Sequence, residues 1–458
     1  MSWGGTRSAV RTLTAIVGVT ALTALSSCSA DPDTGDNEGG PQDDSARADA
    51  TVYVPQDAET INDAVDLVEP GGLIVIGPGT YEESVLIDVE DVTVRGEDRN
   101  EVVIDGGGVR PFGISAIADG VSVENLTVTD HTFYGVLVTG LHDENGPAAH
   151  GGDGYSTFDP EDFPPVQRFR FDHITAYNNG LYGLYAFNAQ QGTITESYAS
   201  GHADSGIYVG QCQECWIDVS HNVAENNAVG FENANASELA GVRENRFTHN
   251  RVGMTFLSNY REAFHPQQAN TVHGNLVGEN AEPHSPAQAE GAFGVGIGIG
   301  AGTLNRFVNN RIENNPSSGV TLSSEEDLAP VGNRIAGNAF STNGVDIANI
   351  AGARAPAADN CNTDAPSTEP DTDDDATLLP EDLFSSCSGT QPAIDPAELP
   401  QVEVPSGVSF RQIDPPPAQP TMQDEPAARE LGEIAVTDDV AEVPGSDYLA
   451  ERSRHGVP

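Results

Sequence analysis

Short apolar runs separated by turn residues dominate the chain from about residue 52 to residue 350. Runs such as Leu73–Ile76, Val85–Ile87 and Val92–Val94 span three or four residues, and glycine, proline or acidic residues lie between them. Strands of this length without intervening helices do not fit a doubly wound α/β fold. The pattern therefore predicts an all-β architecture for residues 52–355.

A pair of polar residues spaced five apart recurs through this region. Most members are asparagine, in the pairs His173/Asn178, Ser197/His202, Asn222/Asn227, Asn245/Asn250, Asn275/Asn280, Asn310/Asn315 and Asn338/Asn343. Glycines that precede the accompanying strands are 23, 24 and 23 residues apart, at Gly183, Gly206, Gly230 and Gly253. One coil of this length holds three short strands and stacks on the next at ~4.8 Å. The repeat predicts a parallel β-helix whose asparagines lie in turns and hydrogen-bond from coil to coil.

A short helix is predicted at the start of this body. Thr60 and Asp63 have the spacing of a capping box, with aspartate in place of the usual glutamate. Ile61, Ala64 and Val65 then share one helical face. Such a helix would cover the open end of the stacked sheets, whose free backbone groups otherwise attract other strands.

Residues 1–28 have the pattern of a secretory signal. Arg7 and Arg11 precede an apolar run from Leu13 to Leu25, which is too short to span a bilayer. The sequence Leu25-Ser26-Ser27-Cys28 resembles a bacterial lipobox. It predicts that Cys28 is lipidated and that this anchor alone holds the protein on the extracellular face of the cell membrane. An ordinary signal peptide that happens to contain a cysteine is the alternative.

Acidic, polar segments flank the body on both sides. Residues 29–51 predict a flexible tether, and the Pro- and acid-rich residues 356–458 predict a mostly disordered tail. The net charge is −50, and all 20 basic residues are arginine. The absence of lysine excludes lysine bases and Schiff-base chemistry, and the acidity argues against nucleic-acid partners. Calcium is a candidate cofactor, although no loop has EF-hand spacing. A monomer is expected.

Four cysteines remain after Cys28, in the pairs Cys212/Cys215 and Cys361/Cys387. An even count outside the cytoplasm indicates disulfides. A Cys-x-x-Cys motif also permits a redox or metal function. The strand–turn–strand surroundings and the acidic residue inside the motif favour a structural disulfide, because a reactive thiolate needs positive surroundings.

Several motifs resemble known families. The segments Gly77-Pro-Gly-Thr-Tyr81, Val92-Thr-Val-Arg95 and Ile104-Asp-Gly-Gly107 are similar to right-handed β-helix proteins of the pectin-lyase-like superfamily. More narrowly, Tyr182–Phe187 and Asp204–Cys212, with Cys215, resemble an actinobacterial lipoprotein family of this fold without an agreed activity. The resemblance implies a right-handed parallel β-helix. Many superfamily members cleave or modify uronic-acid polysaccharides, and some periplasmic members help to mature a copper enzyme.

One column of candidate ligand-binding residues follows from the repeat. Tyr185, Tyr208 and Glu232 each lie two residues after their glycine, so the three should stack in adjacent coils. An outward column of aromatic and acidic groups would bind sugar rings. An inward column would simply be core, and the spacing leaves both interpretations open.

Two further residues could add acid–base groups to this candidate face. His202 and Asp204 are two residues apart, so on a strand both would point to the same side. With Tyr208 they could supply an acid, a base and an orienting group. Gln211 completes the candidate face.

Two segments interrupt the repeat, at residues 141–168 and 260–292. Loops on a rigid scaffold commonly carry function, and the first contains the candidates His150, Asp153, Tyr155 and Asp159. Solvent-exposed decoration is the alternative.

The sequence therefore predicts a lipid-anchored surface β-helix that binds polysaccharide or another cell-envelope polymer. The alternative is a lyase, hydrolase or epimerase acting on uronate-containing glycans. Against it, the aspartate pair with arginine of pectin hydrolases and the Asp-Pro-His-Asp signature of alginate epimerases are missing. A third hypothesis, an accessory protein for maturation of an envelope metalloenzyme, would need a thiol or His/Met metal site.

Overall fold

A computed structural model describes residues 49–143, 146–147, 158–287, 292–362, 376–381, 383–384, 396–423, 425–436 and 439–456. Cys28 and the tether up to residue 48 lie outside the described residues, so their predicted roles stay predictions.

Three long parallel sheets, here named A, B and C, form the body. From residue 68 onward the chain passes from sheet A to B to C and back to A. Sheet A has 12 strands: Asp49–Val54, Val68–Ile76, Thr93–Gly96, Ser122–Glu124, Val166–Asp172, Ala189–Thr195, Asp218–Ser220, Gly241–Arg243, Thr271–His273, Arg306–Val308, Arg334–Ala336 and Cys361–Asn362. Sheet B has 10 strands: Gly79–Tyr81, Val102–Asp105, Thr127–Thr129, Thr175–Tyr177, Tyr198–Ser200, Val223–Glu225, Arg246–Thr248, Leu276–Gly278, Arg311–Glu313 and Ala339–Ser341. Sheet C has 11 strands: Val85–Ile87, Phe112–Ala116, Tyr134–Thr139, Leu184–Phe187, Ser205–Cys212, Val229–Ala236, Val252–Leu257, Val295–Gly300, Ser318–Ser323, Ile347–Asn349 and Leu378–Leu379.

Neighbouring strands pair in parallel, one coil upon the next. In sheet A, for example, Ile194 pairs with Val219, and Val219 with Val242. Side chains that point inward form one continuous apolar core along the body. The protein is thus a right-handed parallel β-helix, which confirms the fold predicted from the repeat.

Buried asparagine ladders join the coils at the turns. Asn245 accepts hydrogen bonds from the backbone and side-chain nitrogens of Asn222, at 2.9 and 3.0 Å. Asn275 accepts the equivalent pair from Asn245, at 3.0 and 2.9 Å. Two ladders follow the predicted pairs from Ser197/His202 onward. The first predicted pair, His173/Asn178, is wrong by one residue, because the N–H groups of Ile174 and Asn179 donate to Ser197 Oγ and His202 Nδ1 at 3.1 and 3.3 Å. A third ladder, which the sequence pattern did not reveal, runs through Asn270, Asn305, Asn333 and Asn360.

The predicted helix, α1, covers Ile61–Leu67. Its capping box is present: Thr60 Oγ1 accepts from the Asp63 backbone N–H at 3.0 Å, and the Asp63 carboxylate accepts from the Thr60 N–H at 3.2 Å. Ile61, Ala64 and Val65 are buried against the first strands. The helix therefore closes the N-terminal end of the body.

Cys212 and Cys215 form a disulfide, with their Cα atoms 5.4 Å apart. Both residues are buried in the core, where the chain turns from sheet C to sheet A. The disulfide predicted from the motif is confirmed. Cys361 is also disulfide-bonded, and its expected partner Cys387 lies outside the described residues.

The C-terminal segment (the described residues from 396 to 456) lies against the body. Arg452 donates to the Glu196 carboxylate at 2.9 Å and to the His221 carbonyl at 2.7 Å. Asn178 Nδ2 donates to the Ile413 carbonyl at 2.8 Å. These described residues differ from the predicted disorder, because hydrogen bonds to turns, rather than a large apolar face, hold the segment in place.

Candidate functional site

The predicted column lies on the outer side of sheet C. Tyr185 pairs with Tyr208, and Tyr208 pairs with Glu232. The neighbouring residues Ala186 and Val209 point into the main core, whereas the two tyrosines belong to a separate cluster. The column therefore faces outward from sheet C, which the glycine spacing alone could not decide.

Four tyrosines pack together on this outer side: Tyr134, Tyr182, Tyr185 and Tyr208 form the tyrosine cluster. The Tyr185 and Tyr208 rings meet edge to face at 4.9 Å between centroids. Phe158 of the first inserted segment packs against this cluster, and both tyrosines are 1% exposed. The tyrosines therefore form a covered apolar wall, not the open sugar platform that an outward column suggested.

Two carboxyl groups meet beside this wall. Ser205 Oγ lies within hydrogen-bond distance of both Asp204 Oδ1, at 3.4 Å, and Glu232 Oε2. Both carboxylic residues remain partly exposed, while Ser205 is buried. One hydroxyl thus bridges two acidic groups from adjacent coils.

A third carboxyl, Glu262, comes from the second interruption of the repeat. Asn235 Nδ2 holds this loop through the carbonyls of Asn259 and Ala263, at 2.7 and 3.0 Å. Asn259 Nδ2 in turn donates to Glu262 Oε1 at 3.1 Å, and Gln211 hydrogen-bonds the same carboxyl. Asp204, Glu232 and Glu262 are named the acid cluster below.

Burial raises the pKa of every member of the acid cluster. It raises the pKa of Asp204 to about 6 and that of Glu262 to about 7. The pKa of Glu232 rises to about 8, first through burial and then through the negative charges of Asp204 and Glu262. Among the described residues, no arginine forms an ion pair with these carboxyls. Near neutral pH the cluster therefore holds both ionised and protonated carboxyls, as acid–base catalysis requires.

Three buried polar atoms near the acid cluster have no hydrogen-bond partner within the protein: Gln211 Oε1, Thr255 Oγ1 and Glu262 Oε2. Thr255 pairs with Glu232 in the next strand of sheet C. Buried polar atoms in folded proteins are nearly always satisfied. This concentration of open groups is typical of a site that a polar ligand completes.

The structure brings together five of the six residues predicted for this face: Asp204, Tyr208, Gln211, Tyr185 and Glu232. His202 is separate. It lies in a turn before the strand, fully buried, where its Nδ1 accepts from the Asn179 N–H at 3.3 Å and its Nε2 lies 3.2 Å from the Ala176 carbonyl. His202 thus occupies a rung of an asparagine ladder, and the prediction that it faces the same side as Asp204 is wrong.

The loop candidates have different outcomes. His150, Asp153 and Tyr155 lie outside the described residues. Asp159 is exposed, and its Oδ1 accepts from the Glu161 N–H at 3.0 Å, which caps a local turn. Glu262 is the functional candidate that sequence reasoning missed, although the interruption of the repeat there marks its loop.

Replacing Glu262 with glutamine should reduce the loss of stability at high pH. A raised pKa means that the folded state binds the proton more tightly than the unfolded chain. The resulting stabilisation is present at low pH and is lost as the pH rises from the ordinary value of 4.5 to about 7. Urea unfolding measures the free energy of unfolding near pH 5 and near pH 8. The decrease between these two pH values should be smaller in the variant by about 1–3 kcal/mol. An equal decline in both proteins would contradict the assigned shift, and the exposed Glu161→Gln is the control.

A second group of ligating side chains lies on sheet B. Among the described residues, Glu225, His249 and His455 are the group of three whose potential metal-ligand atoms all lie within 4.8 Å of one another. The acid cluster does not have that spacing, so calcium binding there stays a prediction.

A family comparison spans the region that contains the acid cluster. The model described as "Periplasmic copper-binding protein (NosD)" matches residues 114–290 and 173–354, together more than half of the chain. The chain belongs to the NosD family. The match includes the Cys212–Cys215 disulfide but ends before the C-terminal segment. Comparison of this NosD-family chain with curated protein sequences finds no match.

Solved β-helix structures resemble this NosD-family chain at low identity. The A-module of a mannuronan C-5 epimerase from Azotobacter vinelandii has 15% identity and a TM-score of 0.42, over 64% of this chain and 87% of that one. A DFA-IIIase from Arthrobacter chlorophenolicus has 13% identity and a TM-score of 0.45, over 74% of this chain and 99% of that one. An alginate lyase from Paenibacillus has 14% identity and a TM-score of 0.36, over 64% of this chain and 96% of that one. In the part of the chain that the structure describes, no helix has the length and apolarity of a membrane span.

Proposed function

We propose that the protein is a cell-surface enzyme that binds a neutral glycan over the acid cluster and cleaves a glycosidic bond. The observation that carries this proposal is the bridge from Ser205 to both Asp204 and Glu232. Glycoside hydrolysis uses two carboxyl groups, one protonated and one ionised, on either side of the scissile bond. The signal sequence and the periplasmic description of the family support a location outside the cytoplasm, and Cys28 is the proposed lipid anchor.

The two carboxyl groups take different roles because their pKa values differ. Glu232, with its pKa raised to about 8, keeps its proton near neutral pH and donates it to the leaving glycosidic oxygen. Asp204, at about 6, is ionised and attacks the anomeric carbon while the bond from that carbon to the leaving oxygen breaks. Two carboxyl groups that share one hydroxyl lie too close together to hold a water between them, which is the arrangement of retaining enzymes. Water then displaces Asp204 from the sugar and gives its proton to the Glu232 carboxylate, which restores both groups. The tyrosine wall excludes water and so helps to keep the Glu232 proton in place.

The charge of the site favours a neutral glycan over a uronate. Near neutral pH Asp204 is ionised and Glu262 is partly ionised, and no arginine in the described residues pairs with either carboxylate. A uronate carboxylate placed beside them would be repelled, since like charges at short range disfavour one another. Hydroxyl groups of a neutral sugar, in contrast, can donate to Glu262 Oε2 and Gln211 Oε1.

The family description raises copper as a ligand. Cys212 and Cys215 are joined as a disulfide, and an oxidised pair offers no thiolate to a metal. A metalloenzyme-maturation function that depends on these thiols therefore lacks its ligands.

The test is incubation of the purified full chain with neutral and uronate-containing polysaccharides, with and without calcium. We expect reducing ends to appear with a neutral glycan, in a bell-shaped pH profile with limbs near pH 6 and pH 8. New ultraviolet absorbance from a uronate would instead indicate a lyase and overturn the substrate class. Retention on a polymer without product would make the protein a binding scaffold.

A further inference from the structure

Gly298 leaves an open space on the outer side of sheet C, close to the acid cluster. Gly298 pairs with Thr255 of the preceding coil, and Thr255 pairs with Glu232 of the coil before that. The neighbouring residues Ile297 and Ile299 point into the main core, so a side chain at residue 298 would point outward. Strands in a sheet lie ~4.8 Å apart, and Gly298 is therefore two strand spacings away from Glu232.

Gly298 differs from every other glycine that lies in a described strand of sheet C. A Cβ atom on Gly298 would have no neighbouring atom closer than 3.8 Å, and the residue is partly exposed. At each of the others, an atom lies within 2.7 Å of the Cβ position; at Gly210 it belongs to the Tyr208 ring, at 2.3 Å. Packing within the protein therefore does not require glycine at residue 298. A glycine inside a strand is typical of a place where a ligand approaches the backbone.

Thr255 borders this space on the side of the acid cluster. Its Oγ1 is buried and has no hydrogen-bond partner in the described part of the protein. Its Cγ2 would lie 3.9 Å from a Cβ atom on Gly298, so the methyl group faces the open space. Rotation about χ1 between staggered rotamers brings the hydroxyl to the position of that methyl group. The rotation breaks no hydrogen bond, and the hydroxyl can then bind a ligand above Gly298.

Glu325 borders the same outer face from the C-terminal side. Gly300 is two residues after Gly298 and therefore faces the same side of the strand, and Glu325 Oε1 lies 2.8 Å from the position of a Cβ atom on Gly300. Among the described residues, the Glu325 carboxyl makes no ion pair or hydrogen bond. Burial raises its pKa, and the charge of Glu326 raises it further. A partly buried carboxyl without a partner is a strong acceptor for a ligand hydroxyl.

We propose that Gly298, Thr255 and Glu325 form a second sugar-binding position, named the Gly298 notch, and this inference rests on the proposed cleavage of a neutral glycan. One sugar ring of that glycan lies on the bare strand at Gly298 and donates hydrogen bonds to the Thr255 hydroxyl and the Glu325 carboxylate. On the opposite side of the acid cluster, Tyr208 and Phe158 cover the outer face. The glycan therefore extends from the acid cluster toward the C-terminal coils only, and cleavage shortens it from one end.

The experiment measures by calorimetry how neutral cello-, manno- and xylo-oligosaccharides of increasing length bind to the full chain carrying Glu232→Gln, which prevents cleavage. We expect the affinity to rise with length until the notch is occupied. Adding Gly298→Val fills the notch, and it should lower the affinity for the longer sugars about 10- to 100-fold while leaving that for the shortest unchanged. Adding Glu325→Gln should weaken the same binding by about 5- to 10-fold, because a neutral acceptor replaces a charged one.

The stability of the variant separates lost binding from a damaged fold. Valine is favoured in strands and glycine is not, so Gly298→Val should unfold in urea at the same midpoint as its parent or at a higher one. Gly432→Val is the matched control. Gly432 is exposed in the C-terminal segment, and a Cβ atom there would have no neighbour within 4 Å. The control should bind every oligosaccharide as its parent does.

Two results would overturn the notch: long oligosaccharides that bind Gly298→Val as tightly as its parent, or a parent whose affinity does not depend on length. The expected binding pattern in a protein whose wild type cleaves no glycan would support the notch and contradict the proposed cleavage. Cleavage with an unchanged KM in Gly298→Val alone would contradict the notch and leave the cleavage intact. The wild type should release one short product from the outset, and products of mixed length would contradict the one-way placement of the glycan.

Discussion

Replacing Glu232 with glutamine should lower the rate of glycan cleavage by about 10²- to 10⁴-fold, the usual contribution of a general acid. The amide has nearly the same shape as the carboxyl, and its oxygen can still accept from Ser205. It cannot deliver a proton to a leaving oxygen. Initial rates of reducing-end release at saturating glycan measure the effect, and circular dichroism shows whether the fold is retained.

Two further variants make this result specific. Glu161→Gln makes the same change on an exposed residue of the first inserted segment and should leave the rate unchanged. Asp204→Asn should lower the rate at least as far as Glu232→Gln does, and any residual rate should lack the limb near pH 6, because the carboxylate that ionises there is gone. Glu232→Gln that cleaves the glycan at the wild-type rate would refute its role as the acid.

The second large effect concerns the fold. Asn275→Leu should destabilise the protein by about 3–5 kcal/mol, because it leaves buried polar groups without partners. The Asn275 oxygen accepts from Asn245 at 3.0 and 2.9 Å, and its nitrogen donates to the Val242 carbonyl at 2.8 Å and to Asn310 at 2.9 Å. Leucine has a similar volume but can make none of these bonds. The midpoint of urea unfolding is the measurement.

Asn314→Gly is the matched control for the ladder variant. Asn314 is exposed and has a positive φ of 56°, a conformation that glycine adopts without strain. Its replacement should change the unfolding midpoint little. If Asn314→Gly lost as much stability as Asn275→Leu, the ladder hydrogen bonds would not account for the loss in Asn275→Leu.

Much of the body could be predicted from local pattern. The asparagine pairs and glycine spacing give the coil length, and equal spacing after glycine places Tyr185, Tyr208 and Glu232 in one column. Position within a repeat determines which residues stack, because every coil has the same geometry. Whether the column faces inward or outward depends on the packing of all three sheets, which no single repeat shows.

The errors have physical causes as well. His202 stands where other coils have asparagine, and an imidazole nitrogen can replace an amide oxygen as a buried acceptor. The position of His202 in the repeat was therefore a better guide to its role than the acid–base chemistry of its imidazole. Glu262 lies in a loop whose path depends on Asn235, a contact between separate coils. The C-terminal segment was misjudged because its hydrogen bonds to the turns leave no trace in composition.

Each coil supplies one asparagine to a ladder, however many residues that coil contains. Successive members of one ladder are separated by 23, 30, 35 and 28 residues, yet each rung makes the same hydrogen bonds. A coil can therefore gain a dozen residues between rungs without disturbing the stack above or below. Such a scaffold can acquire new loops over sheet C, and with them new ligand specificities, while the hydrogen bonds that stack its coils stay the same.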